Sequence, residues 1–459
     1  MTAAKTRGPD IDILHGPIGR GLLRLAIPIA LTQMLQQLFN AADIAVVGQF
    51  SGKNAMAAIG STSPLIGLIV TLFFGISVGS TVIIAHMIGL NDRQGISRAV
   101  GTSLLLAVCG GLLALCGGEI FAVPILRAMS VPEATFPLSL LYFRIYLAGM
   151  PVILLYNFES AIFRSYGDAR TPLAALVAAG ITNVGLNLFF VCALGMSVEG
   201  VALATVLSNV LSAGILFFRL GKNPDIDLKA SLKAGFHGDS FRRILAIGLP
   251  AGIQGTMFSV SNIVIQSAVN QLGPAVMAAS AAAFNIEIMG YYVMNGFAQA
   301  TTTFVGQNHG AGQRKRCKTI LWKALGMDLA ATAAAAGLIL LSGRLLLSLF
   351  NSDPEFLELG YLRLLFISGT CVIQVVIEVV SGALRGYGFS LVPAIVAIFG
   401  ICGVRVGWVY TGFAADPTFR TLLIAYPVSW AVTAAVQFIV YLFYVRHLDR
   451  AEEGKEAAA

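Results

Sequence analysis

The stretches FRSYGDARTP at residues 163–172 and LRGYGFSLVP at residues 384–393 carry arginine, tyrosine, glycine and proline at the same positions, 221 residues apart. Further landmarks recur at nearly the same distance: Pro28 with Pro250, Asn40 with Asn262, Gly89 with Gly310, and Arg93 with Arg314. The chain therefore consists of two related halves. Duplicated apolar halves are typical of secondary transporters, in which the substrate site lies where the repeats meet.

The composition is that of a membrane protein. Hydrophobic residues make up 57% of the 459 residues and charged residues 12%, and the mean hydropathy is +0.81. Soluble domains carry about 25% charged residues, so these values exclude an ordinary soluble protein. The net charge of +7 does not indicate a nucleic-acid partner, because the basic residues concentrate in alternate loops. The six cysteines show no metal-ligand spacing and no disulfide framework.

Twelve apolar segments reach the length of about 20 residues that a helix needs to cross the hydrocarbon core of a bilayer. Their predicted limits are 22–49, 56–88, 99–123, 138–163, 172–194, 198–219, 244–270, 275–307, 320–349, 358–384, 389–412 and 420–445. We predict an all-α membrane protein with twelve transmembrane helices in two pseudo-symmetric six-helix bundles. Its predicted parts are an N-terminal segment at 1–21, bundles at 22–219 and 244–446, a linker at 220–243 and a tail at 447–459.

The lysines and arginines predict the orientation, because cytoplasmic loops are enriched in both. If the N-terminus is cytoplasmic, the inside segments hold 23 of the 30 basic residues, many of them in the linker. The outside loops hold little more than Lys53, Arg127, Arg344 and Arg420. We therefore expect both termini in the cytoplasm and the protein in a bacterial inner membrane.

Polar side chains at membrane depth face a cavity, a neighbouring helix or an ion. Gln36, Asn40 and Asp43 recur at steps of three and four residues, so they share one face of the first span. A single amide in such a place more often joins two helices, whereas a carboxylate is costly there and indicates function. The candidates for lining a substrate cavity are Gln36, Asn40, Asn262, Gln266, Glu287, Gln374 and Glu378.

The sequence shows no catalytic residues and predicts no cofactor. The stretch GQNHGAG at residues 306–312 is glycine-rich, but it lacks the lysine and hydroxyl residue of a phosphate-binding loop. Energy from nucleotide hydrolysis is therefore not expected.

Four stretches together resemble the multidrug and toxic-compound extrusion (MATE) transporters: NAADIAVVG at 40–48, FRSYGDARTP at 163–172, GQNHGAG at 306–312 and ALRGYG at 383–388. The resemblance extends from Leu25 to Phe443. It implies two bundles that form a V-shaped central cavity and alternate between inward- and outward-facing states. It also implies export of organic, cationic or amphipathic compounds in exchange for inward Na⁺ or H⁺.

The resemblance implies a cation-coupling role for five residues: Asp43, Tyr142, Asn183, Asn187 and Thr205. Some members carry an aspartate at the position of Asn187, and others carry an acid in the seventh span where Phe258 aligns. One formal charge is therefore expected at the first-half site, and no metal site is expected beyond Na⁺ at Asp43. Oxygen ligands suit Na⁺, and a carboxylate can equally carry a proton, so the coupling ion stays open.

The main alternative is a flippase for a lipid-linked precursor, since flippases share the broader superfamily. Such proteins tend to have additional spans and a cavity rich in basic groups, which this sequence lacks. A channel is disfavoured because no filter motif appears and duplicated halves suit alternating access. The expected partners are small-molecule substrates and membrane lipids, with no nucleic acid, and the expected state is a monomer.

The predicted orientation can be tested by cysteine labelling in a cysteine-free background. Cysteines that replace Lys53, Glu199 or Asp416 should react with an impermeant maleimide in intact cells. A cysteine at Lys229, in the linker, should react only after permeabilisation, because the basic linker is expected to be cytoplasmic. Labelling of position 229 in intact cells would show that the orientation is the opposite of the predicted one.

Overall fold

The computed structural model describes residues 11–456, and every regular element in that range is helical. The first seven helices are α1 (Ile18–Phe50), α2 (Lys53–Gly89), α3 (Arg93–Ala128), α4 (Phe136–Ser165), α5 (Arg170–Ala193), α6 (Val198–Lys222) and α7 (Leu228–Ala234). The others are α8 (Gly238–Gln271), α9 (Pro274–Gly310), α10 (Arg314–Ser348), α11 (Pro354–Thr370), α12 (Val372–Gly386), α13 (Leu391–Phe413) and α14 (Phe419–Glu456).

Eleven of these helices, all but α7, α11 and α12, are long and apolar enough to cross a membrane. The pair α11 and α12 passes the same test with a bend of 47° between its parts, and it completes the twelve spans. The bend follows Gly369 and Thr370, whose hydroxyl donates a hydrogen bond to the carbonyl of Phe366. Glycine and a hydroxyl bonded back to the helix both favour a kink. The predicted all-α fold with twelve spans is confirmed.

The described residues divide into two compact units. Unit 1 contains Leu31–Gly252 and the described residues up to Gly16, and unit 2 contains Pro17–Ala30 and the residues from Ile253 onward. The first turns of α1 therefore belong to unit 2, and the first turns of α8 belong to unit 1. The domain limits 22–219 and 244–446 stay a prediction, and residues 1–10 and 457–459 of the predicted terminal segments lie outside the described residues.

Within unit 1, glycines bring α2 and the first part of α8 into backbone contact. A Cβ atom added at Gly75 would overlap the backbone of Gly252, and one added at Gly79 would overlap the carbonyl of Ile244. A Cβ added at Gly248 would meet the backbone of residues 75 and 76. Both helices thus carry glycine at a spacing of four, the pattern that lets transmembrane helices approach closely.

Unit 2 repeats this contact with the first part of α1. A Cβ added at Gly296 of α9 would overlap the carbonyl of Ala26 and approach Ala30. Gly296 stands 221 residues after Gly75, so the close approach is a property of the repeat. In unit 1, small residues allow α2 to pack closely against the first part of α8. In unit 2, they allow α9 to pack closely against the first part of α1.

The predicted linker at 220–243 contains the short helix α7. Asp227 caps it by accepting a hydrogen bond from the backbone N–H of Ala230 at 2.9 Å. The helix packs on α3, where Gly101 leaves room for the carbonyl of Ser231. After the helix, the backbone N–H of His237 donates to Thr102 Oγ1 at 3.1 Å. The linker is therefore attached to unit 1 over much of its length.

The glycine contact in unit 1 predicts opposite effects of one substitution at two positions of α2. Gly75→Ala should lower the thermal unfolding midpoint, because a methyl group there must push α8 away at a cost of about 1–3 kcal/mol. Gly67→Ala is the matched control, since nothing lies within 4 Å of a Cβ at that position. Alanine favours a helix over glycine by about 1 kcal/mol, so the control should be neutral or stabilising. Equal effects of the two variants would contradict the close contact.

A polar cluster around Asp43 and a charged cluster in unit 2

In unit 1, the carboxylate of Asp43 joins three helices. It lies on α1 and is only 7% exposed. Asn187 of α5 donates from Nδ2 to Asp43 Oδ1 at 2.5 Å, and Thr205 of α6 donates from Oγ1 to Oδ2 at 3.2 Å. Each carboxylate oxygen thus has a neutral donor from another helix, an arrangement that suits an ionised carboxylate.

The two asparagines of α5 extend the cluster. Asn187 Nδ2 also donates to Asn183 Oδ1 at 3.2 Å, one helical turn away. The other amide atom, Asn187 Oδ1, is buried and has no hydrogen-bond partner. A buried carbonyl oxygen without a donor is costly and is the kind of ligand that a hard cation or a proton donor satisfies.

The helix changes geometry immediately after Asn187. Residues Leu188–Ala193 form a π-helical turn, in which each N–H reaches one residue further back than in an α-helix. Such turns are frequent at functional sites. The turn places Asn187 at the point where α5 changes its winding, beside the buried carboxylate.

Thr205 has two acceptors for its single proton. Its Oγ1 lies 3.2 Å from Asp43 Oδ2 and 3.0 Å from the carbonyl oxygen of Val201, one turn earlier on α6. A hydroxyl has one hydrogen to donate. Loss of the negative charge on Asp43 would therefore favour donation to Val201.

The fifth predicted coupling residue, Tyr142, lies on α4 and is buried. Its ring contacts Tyr146 with centroids 6.1 Å apart, and both phenols lie close enough to interact electrostatically with Asp43. The structure therefore brings the five predicted coupling residues into one region of unit 1. Of the two cavity candidates on α1, Gln36 is half-buried and Asn40 is exposed. The roles of all seven stay predictions.

In unit 2, the candidate Glu287 is held in a buried ion pair. Arg363 of α11 donates from Nη2 to Glu287 Oε1 at 2.6 Å and from Nε to Oε2 at 3.1 Å. The remaining nitrogen Nη1 donates to Ser280 Oγ at 2.7 Å. This bidentate pair joins α9 to α11, and removal of one partner would leave a buried charge.

The candidate Glu378 lies buried on α12, where Gln374 provides a side-chain hydrogen bond. Arg385 and Tyr291 interact with it electrostatically. Asp328 of α10 also interacts with Glu378 and is fully buried. Asp328 was not among the predicted site residues. Its Oδ1 accepts from Thr332 at 3.0 Å, and its Oδ2 has no hydrogen-bond partner.

The last two candidates lie on an exposed polar strip of α8. Gln266 donates from Nε2 to Asn270 Oδ1 at 2.9 Å. Asn262 accepts a hydrogen bond at Oδ1 from Nη1 of Arg405, at 3.3 Å. Arg405 was not among the predicted site residues, although an arginine in the middle of the eleventh span was a signal for it.

The comparison with protein families agrees with the two repeats. The family model described as MatE matches twice, at residues 28–189 and at residues 250–411. The chain belongs to the MATE transporter family. It is therefore an integral membrane transporter, as the resemblance of its motifs implies.

Similar proteins cover nearly the whole transporter. The probable multidrug resistance protein YoeA of Bacillus subtilis is 26% identical over 93% of this chain and 94% of its own length. The probable multidrug resistance protein NorM of Thermotoga maritima is 27% identical over 88% of this chain and 91% of its own length. A crystal structure of MATE in the straight conformation has a TM-score of 0.90 at 25% identity and covers 97% of this chain and all of that one.

The hydrogen bond between Asp43 and Asn187 can be measured by a double-mutant cycle in mixed micelles. Asn187→Ala should lower the free energy of unfolding more in the wild type than in the Asp43→Ala background, because that background lacks the charged acceptor. The expected coupling is about 1.5–3 kcal/mol, the range for hydrogen bonds to charged groups.

Asn157→Ala serves as the control for this cycle. Asn157 donates from Nδ2 to the carbonyl of Ile153 within α4, so its effect should not depend on Asp43. A coupling energy for Asn187 that is as small as that of Asn157 would show that the short contact carries no energy.

Proposed function

We propose that this MATE transporter is a secondary antiporter that exports amphipathic organic compounds, cationic ones among them, in exchange for inward Na⁺ or H⁺. The observation that carries the proposal is Asp43, a buried carboxylate whose two oxygens are held by neutral groups of two other helices. A carboxylate without a fixed counter-charge at membrane depth is expensive. Binding of a cation during the transport cycle would therefore stabilise this carboxylate strongly.

The cluster provides suitable ligands for either ion. For Na⁺, the oxygens of Asp43, Asn183, Asn187 and Thr205 form a set of hard donors, the kind that hard cations prefer. For H⁺, the proton would reside on Asp43, and the buried Oδ1 of Asn187 is an acceptor within the same cluster. In both cases the formal charge of the site changes by one.

The charge change couples the ion to the conformation. In the ion-free state, Asp43 attracts the proton of Thr205 and the N–H of Asn187, which draws α1, α5 and α6 together. When the ion neutralises Asp43, Thr205 can donate to Val201 within its own helix instead. An ion shifts a conformational balance only if it binds the two states with different affinity, and this exchange of acceptors provides such a difference.

The substrate class rests on the family and on the polar candidates in the spans. Two similar proteins carry the name of probable multidrug resistance proteins, which favours efflux of organic compounds here. The proposed location is a bacterial inner membrane with both termini in the cytoplasm, and the proposed active form is a monomer without a cofactor. A lipid-linked precursor is the alternative substrate, and scrambling of a labelled precursor in vesicles would favour it.

The test of coupling is transport of ethidium in proteoliposomes under a Na⁺ gradient and, separately, a pH gradient. Asp43→Asn keeps the shape of the side chain but cannot become charged, so gradient-driven efflux should fall at least ten-fold while the protein still folds. Asp239→Asn, at an exposed acid, is the control and should transport like the wild type. The gradient that drives the wild type identifies the ion.

Two outcomes would contradict this assignment. Gradient-driven transport by Asp43→Asn at the rate of the wild type would remove Asp43 from the coupling mechanism. Failure of Asp43→Asn to fold, with transport retained in a suppressor that lacks the carboxylate, would assign the residue a structural role. Counterflow of labelled ethidium without a gradient would separate a carrier from a channel.

A further inference from the structure

Arg405 lies within unit 2 at the place in the repeat that Asp43 and its partners occupy in unit 1. It is on α13, the repeat counterpart of α5, and its partners lie on α8 and α14, the counterparts of α1 and α6. The guanidinium donates from Nε to Ser429 Oγ at 3.2 Å and from Nη1 to Asn262 Oδ1 at 3.3 Å. Its carbon Cζ lies 4.3 Å from the centre of the Tyr426 ring.

Three residues around Arg405 have counterparts on the equivalent helices of unit 1, and one of these counterparts, Thr205, contacts Asp43. At the spacing of the repeat, Asn262 corresponds to Asn40, Tyr426 to Thr205, and Ser429 to Ser208. In unit 1, α1, α5 and α6 surround a negative charge, whereas their counterparts α8, α13 and α14 in unit 2 surround a positive charge. The cluster in unit 1 suits a cation because it contains the carboxylate of Asp43. The cluster in unit 2 contains the guanidinium of Arg405 instead, so it suits an anion.

The charges around Arg405 do not balance. The charged groups that act on it are Glu287 and Arg363, and these two already form the bidentate pair. Both guanidinium groups lie over the Tyr426 ring, with Arg363 Cζ at 5.8 Å from its centre. Two guanidinium groups and one carboxylate leave a net charge of +1 in a buried cluster. Buried charges are usually paired, because desolvation is costly.

A second polar group in the same cluster, the indole N–H of Trp430, lacks a hydrogen-bond partner. The ring of Trp430 is 5.9 Å from Arg405 Cζ, and its Nε1–H is buried without a hydrogen-bond partner. Trp430 is 3% exposed and Arg405 is 6% exposed. An indole N–H can only donate, so it needs an acceptor. An oxyanion would meet both demands, since it carries negative charge and accepts hydrogen bonds.

The cluster also has a polar route to its surface. Asn262, which accepts from Arg405, is exposed, as are Gln266 and Asn270 further along the same helix. Amides at exposed positions of a membrane helix indicate contact with water rather than with lipid tails. A solute could therefore approach Arg405 along this strip.

We propose that Arg405, with Trp430 and Tyr426, forms an oxyanion-binding subsite in unit 2 for a carboxylate or phosphate group on a small aromatic organic compound. Arg405 pairs with the oxyanion, Trp430 donates from Nε1, and the Tyr426 ring holds the Arg405 guanidinium in place. The proposal extends the substrate class of the proposed exporter to zwitterionic and anionic compounds. It rests on that function for its physiological meaning, but binding itself requires no ion gradient.

The test measures binding to the full-length protein in an uncharged maltoside detergent. The probes are benzoate, phenyl phosphate and the uncharged benzamide, and the readouts are tryptophan fluorescence and the thermal unfolding midpoint. We expect saturable responses to at least one of the two anions and at least ten-fold weaker binding of benzamide. Equal responses to benzoate and benzamide, or no saturable response to either anion, would overturn the subsite.

Variants separate the subsite from a structural role of the arginine. Arg405→Gln should weaken anion binding at least ten-fold, whereas Arg344→Gln should leave it unchanged. Arg344 is the matched control because it is exposed and also lies over a tyrosine ring, with Cζ 5.2 Å from Tyr361. Anion binding by Arg405→Gln that equals the wild type would reduce Arg405 to a residue that holds helices together.

Asn262→Asp tests the charge balance even if Arg405→Gln fails to fold. The new carboxylate would stand where Arg405 Nη1 already donates, so it supplies the missing counter-charge within the protein. This variant should fold, unfold at a higher temperature and lose the anion response. A retained response would contradict the proposal. Phosphatidylglycerol is a further probe, and an Arg405-dependent response to this lipid alone would assign the cluster to lipid headgroups and overturn the solute subsite.

Discussion

The cost of burying a charge among apolar helices governs how this transporter is built. A carboxylate or guanidinium in that setting must find polar partners on neighbouring helices, since water is scarce. Asp43 finds them on α5 and α6, and Arg405 finds them on α8 and α14. Each charge therefore joins three helices.

The two units place opposite charges on helices that are equivalent in the repeat. Unit 1 holds a negative charge within reach of neutral oxygen atoms, and unit 2 holds an excess of positive charge beside aromatic rings. Gene duplication supplies the geometry, and a few substitutions decide the sign of the charge. Under the two proposals, an ion binds in one half and a different chemical group in the other, so coupling and substrate choice can evolve separately.

The sequence predicted those features that depend on local pattern. Span lengths follow from hydropathy, and the polar face of α1 follows from helical periodicity, so the sequence predicted the spans and placed Asp43 on a polar face. The π turn after Asn187 and the bend after Thr370 depend on local hydrogen bonds that leave no clear pattern. Arg405 was missed because its importance lies in its partners, which stand on helices far away in the chain. The division of α1 between Ala30 and Leu31 likewise depends on packing and not on hydropathy, so no local pattern marks it.

The glycine contact between α2 and the first part of α8 has a mechanical consequence. Where two helices interlock through large side chains, sliding requires many rotamers to change together. At Gly75, Gly79, Gly248 and Gly252 the backbones of the two helices approach each other directly. At these four positions a small shear displacement requires no change of side-chain rotamer. The contact is therefore close across the interface and permits small displacements along it.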